Sequence, residues 1–254
     1  MVMATVGRHR QIADAVRAAG QLSVAELAGL TSASEMTIRR DLDILAEQGV
    51  LERFRGGART LLLRGEEPPF VLRVQESHDV KQRIATATAD LIADGEAVVI
   101  DSGTTCLEVA RALTGRRVTA MPLSLHAVNA LADAPDVRLL VPGGEPRPGE
   151  LALTGALTQA SLSTLRFDTA VIGCCGLTAA DGLTAYDLDD AVIKRAAIAS
   201  AQRVIAVCEA AKLSRTALAF VAPASDLHVV VTGLDAPEDQ AVALAAAGVV
   251  VHQV

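Results

Sequence analysis

Tryptophan is absent from the 254-residue sequence, tyrosine occurs once and phenylalanine four times. That scarcity argues against binding single-stranded nucleic acid by stacking bases on aromatic rings. No apolar run approaches the roughly 20 residues a membrane-spanning helix requires. Nor does a charged start, apolar core and small-residue cleavage site mark a signal peptide. Cysteine is scarce too. Cys106, Cys174, Cys175 and Cys208 lack metal-type spacing, and an adjacent pair does not suggest a disulfide framework. A reducing cytoplasm is the expected setting. The five histidines are scattered, and no pattern requires a metal or other cofactor.

What the chain does have is hydrophobic residues, 51% of the total, enough for one large or two medium domains. Its charge is unevenly placed. Residues 1–59 hold 8 Arg and 7 Asp/Glu, a net of +1, whereas residues 60–254 carry a net of −8. A near-neutral head with clustered arginines thus precedes an acidic body, an asymmetry that permits a DNA-binding head.

In the head, Ile12, Val16 and Ala19 fall at helical spacing, and Gly20 ends that helix. Ser23-Val24-Ala25-Glu26 has the form of a capping box opening a short second helix. After a turn at Thr31–Ala33, Ser34 is the expected N-cap of a third helix running to about Gln48, with Gly49 as its left-handed stop. Ile38, Leu42 and Leu45 form one apolar face of that helix. Met36, Thr37, Arg39 and Arg40 lie largely off it, where guanidiniums reach phosphate or guanine and short polar groups reach base edges. Val50–Arg55 alternates as a strand does, and Gly56-Gly57 suits a tight turn. Three helices and a hairpin make a winged helix-turn-helix, with Arg53, Arg55 and Arg59 on the wing.

The run Ser34-x-x-Thr37-Ile38-Arg39-Arg40-Asp41-Leu42, followed by Gly49 and Arg55-Gly56-Gly57-Ala58, resembles the N-terminal signature of DeoR-type bacterial transcriptional regulators. On that basis residues 1–59 are expected to be the DNA-binding domain and Ser34, Met36, Thr37, Arg39, Arg40, Arg53 and Arg55 its DNA contacts. Residues 60–80 read as a linker, since Pro68-Pro69 forbids a continuous helix. Leu61–Leu63 and Phe70 would dock it on the body, and Phe70 with Arg73 fits an inter-domain pattern of the same family.

Residues 81–254 alternate β-rich runs with helical stretches, the mark of an α/β domain with a largely parallel sheet. Strands are predicted at 97–100, 118–121, 137–141, 169–173, 203–207, 227–232 and 249–252, with helices at 107–113, 125–132, 154–165, 187–201 and 237–247. Ligands in such sheets bind beyond the carboxyl ends of the strands. Asp101-Ser102-Gly103-Thr104-Thr105 occupies one such place, where a tight turn leads into a helix whose free N–H groups favour an anion. It lacks the Lys-Ser/Thr of a nucleotide P-loop, so ATP is not implied. Asp190 and Lys194 lie one turn apart in the helix at 187–201, a spacing that an ordinary surface ion pair would also explain. The cysteines read as structural, although Cys106 near a helix start could have a lowered thiol pKa.

Together these loops resemble the effector domain of the same family, a Rossmann-like fold similar to sugar-phosphate isomerases. The resemblance assigns effector contacts to Asp101, Gly103, Thr104, Thr105, Ser124, Gly143, Gly144, Gly176, Lys194 and Lys212. Gly182-Leu183-Thr184 is a further landmark. Two departures stand out. Pro122-Leu123-Ser124 replaces the usual Thr-Asn-Ser, and Glu209-Ala210-Ala211-Lys212 replaces Asp-x-Ser-Lys. The implied function is a non-enzymatic regulator that binds double-stranded operator DNA as a homodimer or higher oligomer. It would be a repressor of carbohydrate-metabolism genes relieved by a phosphorylated sugar or related metabolite. The alternatives are an isomerase-like enzyme with an appended head, and a regulator whose effector pocket is degenerate.

Overall fold

The computed structural model describes residues 2–60 and 68–254, the side chains of residues 2–6, 17 and 18 excepted. Leu61–Leu63 and the Arg64–Glu67 part of the linker lie outside the described residues. The chain forms two compact units, residues 1–73 and 74–254.

The first unit begins with α1 (Val2–Ala19), β1 (Gln21–Ser23) and α2 (Val24–Thr31). It continues with α3 (Glu35–Glu47), β2 (Leu51–Phe54), β3 (Gly57–Thr60) and α4 (Phe70–Arg73). The capping box forms as read: the Glu26 amide donates to Ser23 Oγ at 3.2 Å, and Ser23 N–H to Glu26 Oε2 at 2.8 Å. Ser34 Oγ caps α3 by accepting from the Thr37 amide at 3.2 Å. Gly49 (φ +70°) lets the chain leave α3 in the left-handed region. The Ile38, Leu42 and Leu45 stripe packs with Ile12, Val16, Leu27 and Ala58 in a core where all seven are buried. The hairpin has a third strand that periodicity did not show, since β1 adds to β3 in the antiparallel order β1-β3-β2. Gly57 makes this possible, because a Cβ there would stand 2.3 Å from Leu22 O. Of the linker as read, Val71 and Leu72 pack against this head core.

The second unit opens with α5 (His78–Asp90), β4 (Ala97–Ile100), α6 (Thr104–Ala112), β5 (Thr119–Pro122), α7 (Leu125–Leu131) and β6 (Arg138–Leu139). A short hairpin, β7 (Glu145–Pro146) with β8 (Leu153–Thr154), leads to α8 (Ala156–Thr164) and β9 (Phe167–Gly173). Then come β10 (Gly176–Thr178), β11 (Gly182–Ala185), α9 (Leu188–Ala199), β12 (Ala201–Val207) and β13 (Ala219–Ala222). The chain closes with β14 (Val229–Thr232), α10 (Glu238–Ala246) and β15 (Val250–Gln253). Seven strands form a parallel sheet in the order β15-β14-β12-β9-β4-β5-β6. Val98, Val99, Ile100, Ala170, Val171 and Ile172 are fully buried, as strands covered on both faces must be.

The sheet grows from β4 in both directions, so its topological switch point lies between β4 and β9, where α/β sheets of this type open a crevice. In the second unit the structure differs from the sequence reading in several places. The 137–141 strand shrinks to Arg138–Leu139 at the sheet edge, with Val141 exposed. The glycines after β9 form a separate antiparallel sheet, β10-β11-β13, instead of simple turns. Helix α5 occupies 78–90, where no helix was expected, because its buried stripe includes Lys81 and Thr88.

Candidate DNA-binding face and sensor site

Helix α3 is aimed outward by the same packing that buries its apolar stripe. Met36 is 65% exposed, Arg39 and Arg40 are exposed, and Thr37 is half-buried with its hydroxyl 2.9 Å from Ser34 Oγ. Several arginines of this surface are already paired. Arg39 Nη2 donates to Glu35 Oε2 at 2.8 Å, Arg53 pairs with Asp43 across helix and wing, and Arg59 grips Glu52 with two bonds of 2.6 and 2.8 Å. Arg55 and Arg40 make no ion pair among the described residues.

Asp41, part of the sequence motif but given no task there, is buried. Arg8 Nε donates to its Oδ2 at 2.6 Å, and His9 Nε2 lies 3.0 Å from its Oδ1. Burial alone would raise the Asp41 pKa, but the bonds from Arg8 and His9 outweigh it and hold the carboxyl below its ordinary value. The carboxylate thereby locks α1 to α3 and sets how α3 is presented. A polar residue inside a motif hints at such a role, but its partners more than 30 residues away carry no signal.

In the second unit, the Asp101–Thr105 loop leaves β4 at the switch point. Gly103 (φ +100°) turns the chain into α6, and a Cβ placed on it would meet nothing within 4 Å, so the approach over the helix start is open. Gly173, at the end of β9, lies close by. Its amide donates to Asp101 Oδ2 at 2.9 Å, and a Cβ there would stand 3.1 Å from Ser102 O. Thr104 and Thr105 are buried in the first turn of α6.

Asp190 and Lys194 are no ordinary surface ion pair: both are buried, with Lys194 3% exposed. Helix α9 carries the ammonium inward because Lys194 lies on its buried face with Asp190, Ala191 and Ala197, and Asp187 caps the helix by accepting from the Asp190 amide at 2.9 Å. Lys194 Nζ reaches Asp101 Oδ2, the Gly173 carbonyl at 3.2 Å and Asp190 Oδ2 at 3.4 Å. Burial works against the ammonium, but Asp101 and then Asp190 outweigh it and raise its pKa well above the ordinary value. Lys194 and Asp101 are thus committed to each other, and together they clamp the β4 and β9 loops to α9. Lys212 sits half-buried in the short 3-10 turn after β12. Ser124 is buried as the N-cap of α7, accepting from the Ala127 amide at 3.2 Å.

The glycines have packing reasons. A Cβ on Gly144 would stand 2.0 Å from Thr158 Oγ1, one on Gly176 2.4 Å from Arg215 O, and one on Gly143 3.3 Å from Leu157 Cβ. Of the replaced family positions, Leu123 is core and Ala211 is exposed. Glu209, at the start of the altered segment, lies 3.4 Å from the Nζ of the buried Lys81 on α5.

One further candidate lies beside the start of α9. The β7–β8 hairpin is tied to the β5 loop, with the Leu125 amide donating to Leu151 O at 2.9 Å and Leu153 N–H to Leu123 O at 2.9 Å. It carries Arg147, whose Nη1 lies 3.1 Å from Asp187 Oδ2 at the start of α9. The buried Arg147 Nε has no hydrogen-bond partner. A guanidinium between two prolines has no sequence signal of its own. Cys106, Cys175 and Cys208 are buried, and burial pushes the Cys106 thiol well up, opposite to the lowering a helix start could give.

Residues 76–234 match the DeoR C terminal sensor domain, and residues 8–61 match the DeoR-like helix-turn-helix domain. A candidate aga operon transcriptional repressor of Escherichia coli O157:H7 is 31% identical over 253 residues, covering 98% of this chain and 93% of its own. A glycerol-3-phosphate regulon repressor of Escherichia coli strain K12 is 33% identical over 231 residues, covering 91% and 90%. Among solved structures, ribose 5-phosphate isomerase A from Methanocaldococcus jannaschii aligns over 54% of this chain and 55% of that one at 16% identity. Its TM-score is 0.41, too low to support any inference about chemistry.

Proposed function

The chain belongs to the DeoR family of transcriptional regulators, and from that premise we propose that it is a DNA-binding repressor of carbohydrate-metabolism genes, released from its operator by a phosphorylated sugar or related metabolite. The observation that carries this reading is the outward ridge of Met36, Arg39 and Arg40 on a helix whose Ile38, Leu42 and Leu45 are fully buried. Ser34 and Thr37 would fix the helix start against the DNA backbone, and Arg53 and Arg55 would follow the phosphates from the wing. A homodimer reading adjacent major grooves requires half-sites about 34–36 Å apart or a multiple of that. Such a protein works beside DNA, in the cytoplasm.

For the sensor, Gly103, Thr104, Thr105 and Lys212 would hold the phosphate. Asp101 and Lys194 act as positioning residues that keep the loop in place, and Gly143, Gly144 and Gly176 shape the surrounding loops. The effector need only favour one arrangement of the heads. A coupling of ~1–3 kcal/mol changes operator affinity by roughly 5- to 150-fold. The isomerase reading requires a positioned general base, and a buried Asp101 already held by Lys194 and the Gly173 amide favours the sensor instead.

The test measures duplex binding by wild type, Arg39→Ala and Arg40→Ala. Each variant is expected to weaken operator binding, a base-contacting arginine being worth ~1–3 kcal/mol. Wild-type affinity in the double variant would refute the head assignment, and turnover of a sugar phosphate by the purified chain would favour the enzyme.

A further inference from the structure

We propose that Glu35 is a base-reading residue and that, paired with Arg39, it selects a C·G pair in each operator half-site. The inference rests on the operator-binding reading above and deepens it. Glu35 is the first residue of α3, directly after the Ser34 cap. In helix-turn-helix complexes the N-terminal residues of the recognition helix are the ones that reach base edges. Glu35, Met36, Arg39, Arg40 and Asp43 form one exposed ridge along α3. Glu35 and Arg39 are one turn apart on it, joined at 2.8 Å and 51% and 57% exposed.

The charge on this ridge separates specificity from affinity. Attraction to phosphate needs net positive charge, yet the Glu35–Arg39 pair is neutral and brings a carboxylate to a surface that must approach a polyanion. Such a group is repelled unless it meets a hydrogen-bond donor. In the major groove only the amino groups of cytosine and adenine donate. An ionised carboxylate has two acceptors and no donor, so guanine O6 and N7 and thymine O4 offer it nothing. Adenine places the acceptor N7 beside its amino group, which faces the second carboxylate oxygen unfavourably. Cytosine is left as the matching base, its N4 amino group donating to Glu35. Arg39, already held against Glu35, would then present its free N–H groups to a guanine of a neighbouring pair.

A side-chain amide reverses part of this logic, because it donates to adenine N7 while accepting from N6. The experiment is selection of binding sites from a randomised duplex pool by full-length wild type, Glu35→Gln and Glu35→Ala, with thermal melting to check folding. Wild type is expected to enrich a motif with one C·G pair per half-site that depends on residue 35. Glu35→Gln should move that position to A·T, with a roughly 5- to 150-fold change in relative affinity for the two bases. Glu35→Ala should lose discrimination there, and every other position should stay as it was. Both variants should also bind non-specific DNA more tightly, having shed a negative charge. An identical motif from all three proteins would overturn the assignment and leave Glu35 a helix-start charge only. A wild type that enriches no motif would refute the operator reading, and this assignment with it.

Discussion

Replacing Lys194 by Met removes the single positive charge that Asp101 and Asp190 share in the interior of the second unit. Lys194 is 3% exposed, Asp101 1% and Asp190 6%, so water cannot take over the lost contacts. Breaking a buried ion pair from one side is worth about 3–5 kcal/mol, because the remaining charges stay buried without compensation. In a unit of this size each kcal/mol moves the melting temperature by about 2–4 °C. The expected fall is therefore roughly 6–20 °C.

The pH dependence gives a second signature. In wild type the Lys194 pKa is raised, so its contribution is fully present below the unfolded value and is lost only as pH rises through the folded value, in strongly alkaline solution. In the variant, Asp101, whose pKa burial already raises, loses the ammonium that opposes the rise and holds its proton more tightly folded than unfolded. The deficit is then largest at pH 8 and shrinks towards pH 5. Tyr186 is the sole tyrosine, there is no tryptophan, and Tyr186 directly precedes the cap of α9. Its fluorescence during thermal or urea unfolding reports on this unit alone. A shift below 2 °C, or one of equal size at pH 5 and pH 8, would refute the assignment of Lys194 as the clamp.

Three further outcomes are expected. Asp41→Asn should destabilise the head by about 1.5–3 kcal/mol, the value of hydrogen bonds to a charged group. Because the Asp41 pKa is lowered on folding, wild type should hold this advantage above the unfolded pKa and lose it as pH falls through the folded one; circular dichroism melts at pH 7 and pH 3 check both. Thr105→Val and Arg147→Ala should each leave operator affinity in place while reducing the response to a phosphorylated sugar, read by titrating ligand into a preformed DNA complex. The four free cysteines should be slow towards a thiol reagent in native protein, because Cys106, Cys175 and Cys208 are buried and the Cys174 thiol pKa is held well up by its hydrogen bond with Cys208 and by burial. All four should react in denaturant, and rapid labelling of Cys106 would show that its helix start controls the thiol after all.

Where local chemistry decides structure, the sequence was sufficient. The Ser23–Glu26 box, the Ser34 cap and the Gly49 stop each act within a few residues, and the head follows from them. Runs such as Ala97–Ile100 and Thr169–Gly173 reveal central parallel strands because both faces are covered. Elements whose stability comes from distant partners were not visible. β1 exists only because β3 returns to it, and the buried face of α5 contains a lysine that pattern reading assigns to solvent. The same division runs through the candidate sensor site. The Asp101–Thr105 loop could be read from its glycine and hydroxyls. The bond between Asp101 and Lys194, 93 residues apart, could not, and the near pair Asp190–Lys194 has a spacing that a surface bridge would also explain. Arg147 acquires its partner only when the hairpin folds over the β5 loop.

The central claim is that an arginine-bearing reading helix is governed by a metabolite bound in the second unit. It is tested most directly by measuring operator affinity of the full-length protein with and without saturating phosphorylated sugars, each ligand first found by the rise in melting temperature it causes. The expected result is that a ligand which stabilises the protein also weakens operator binding by roughly 5- to 150-fold. A ligand that stabilises the protein and leaves operator affinity unchanged would contradict the claim.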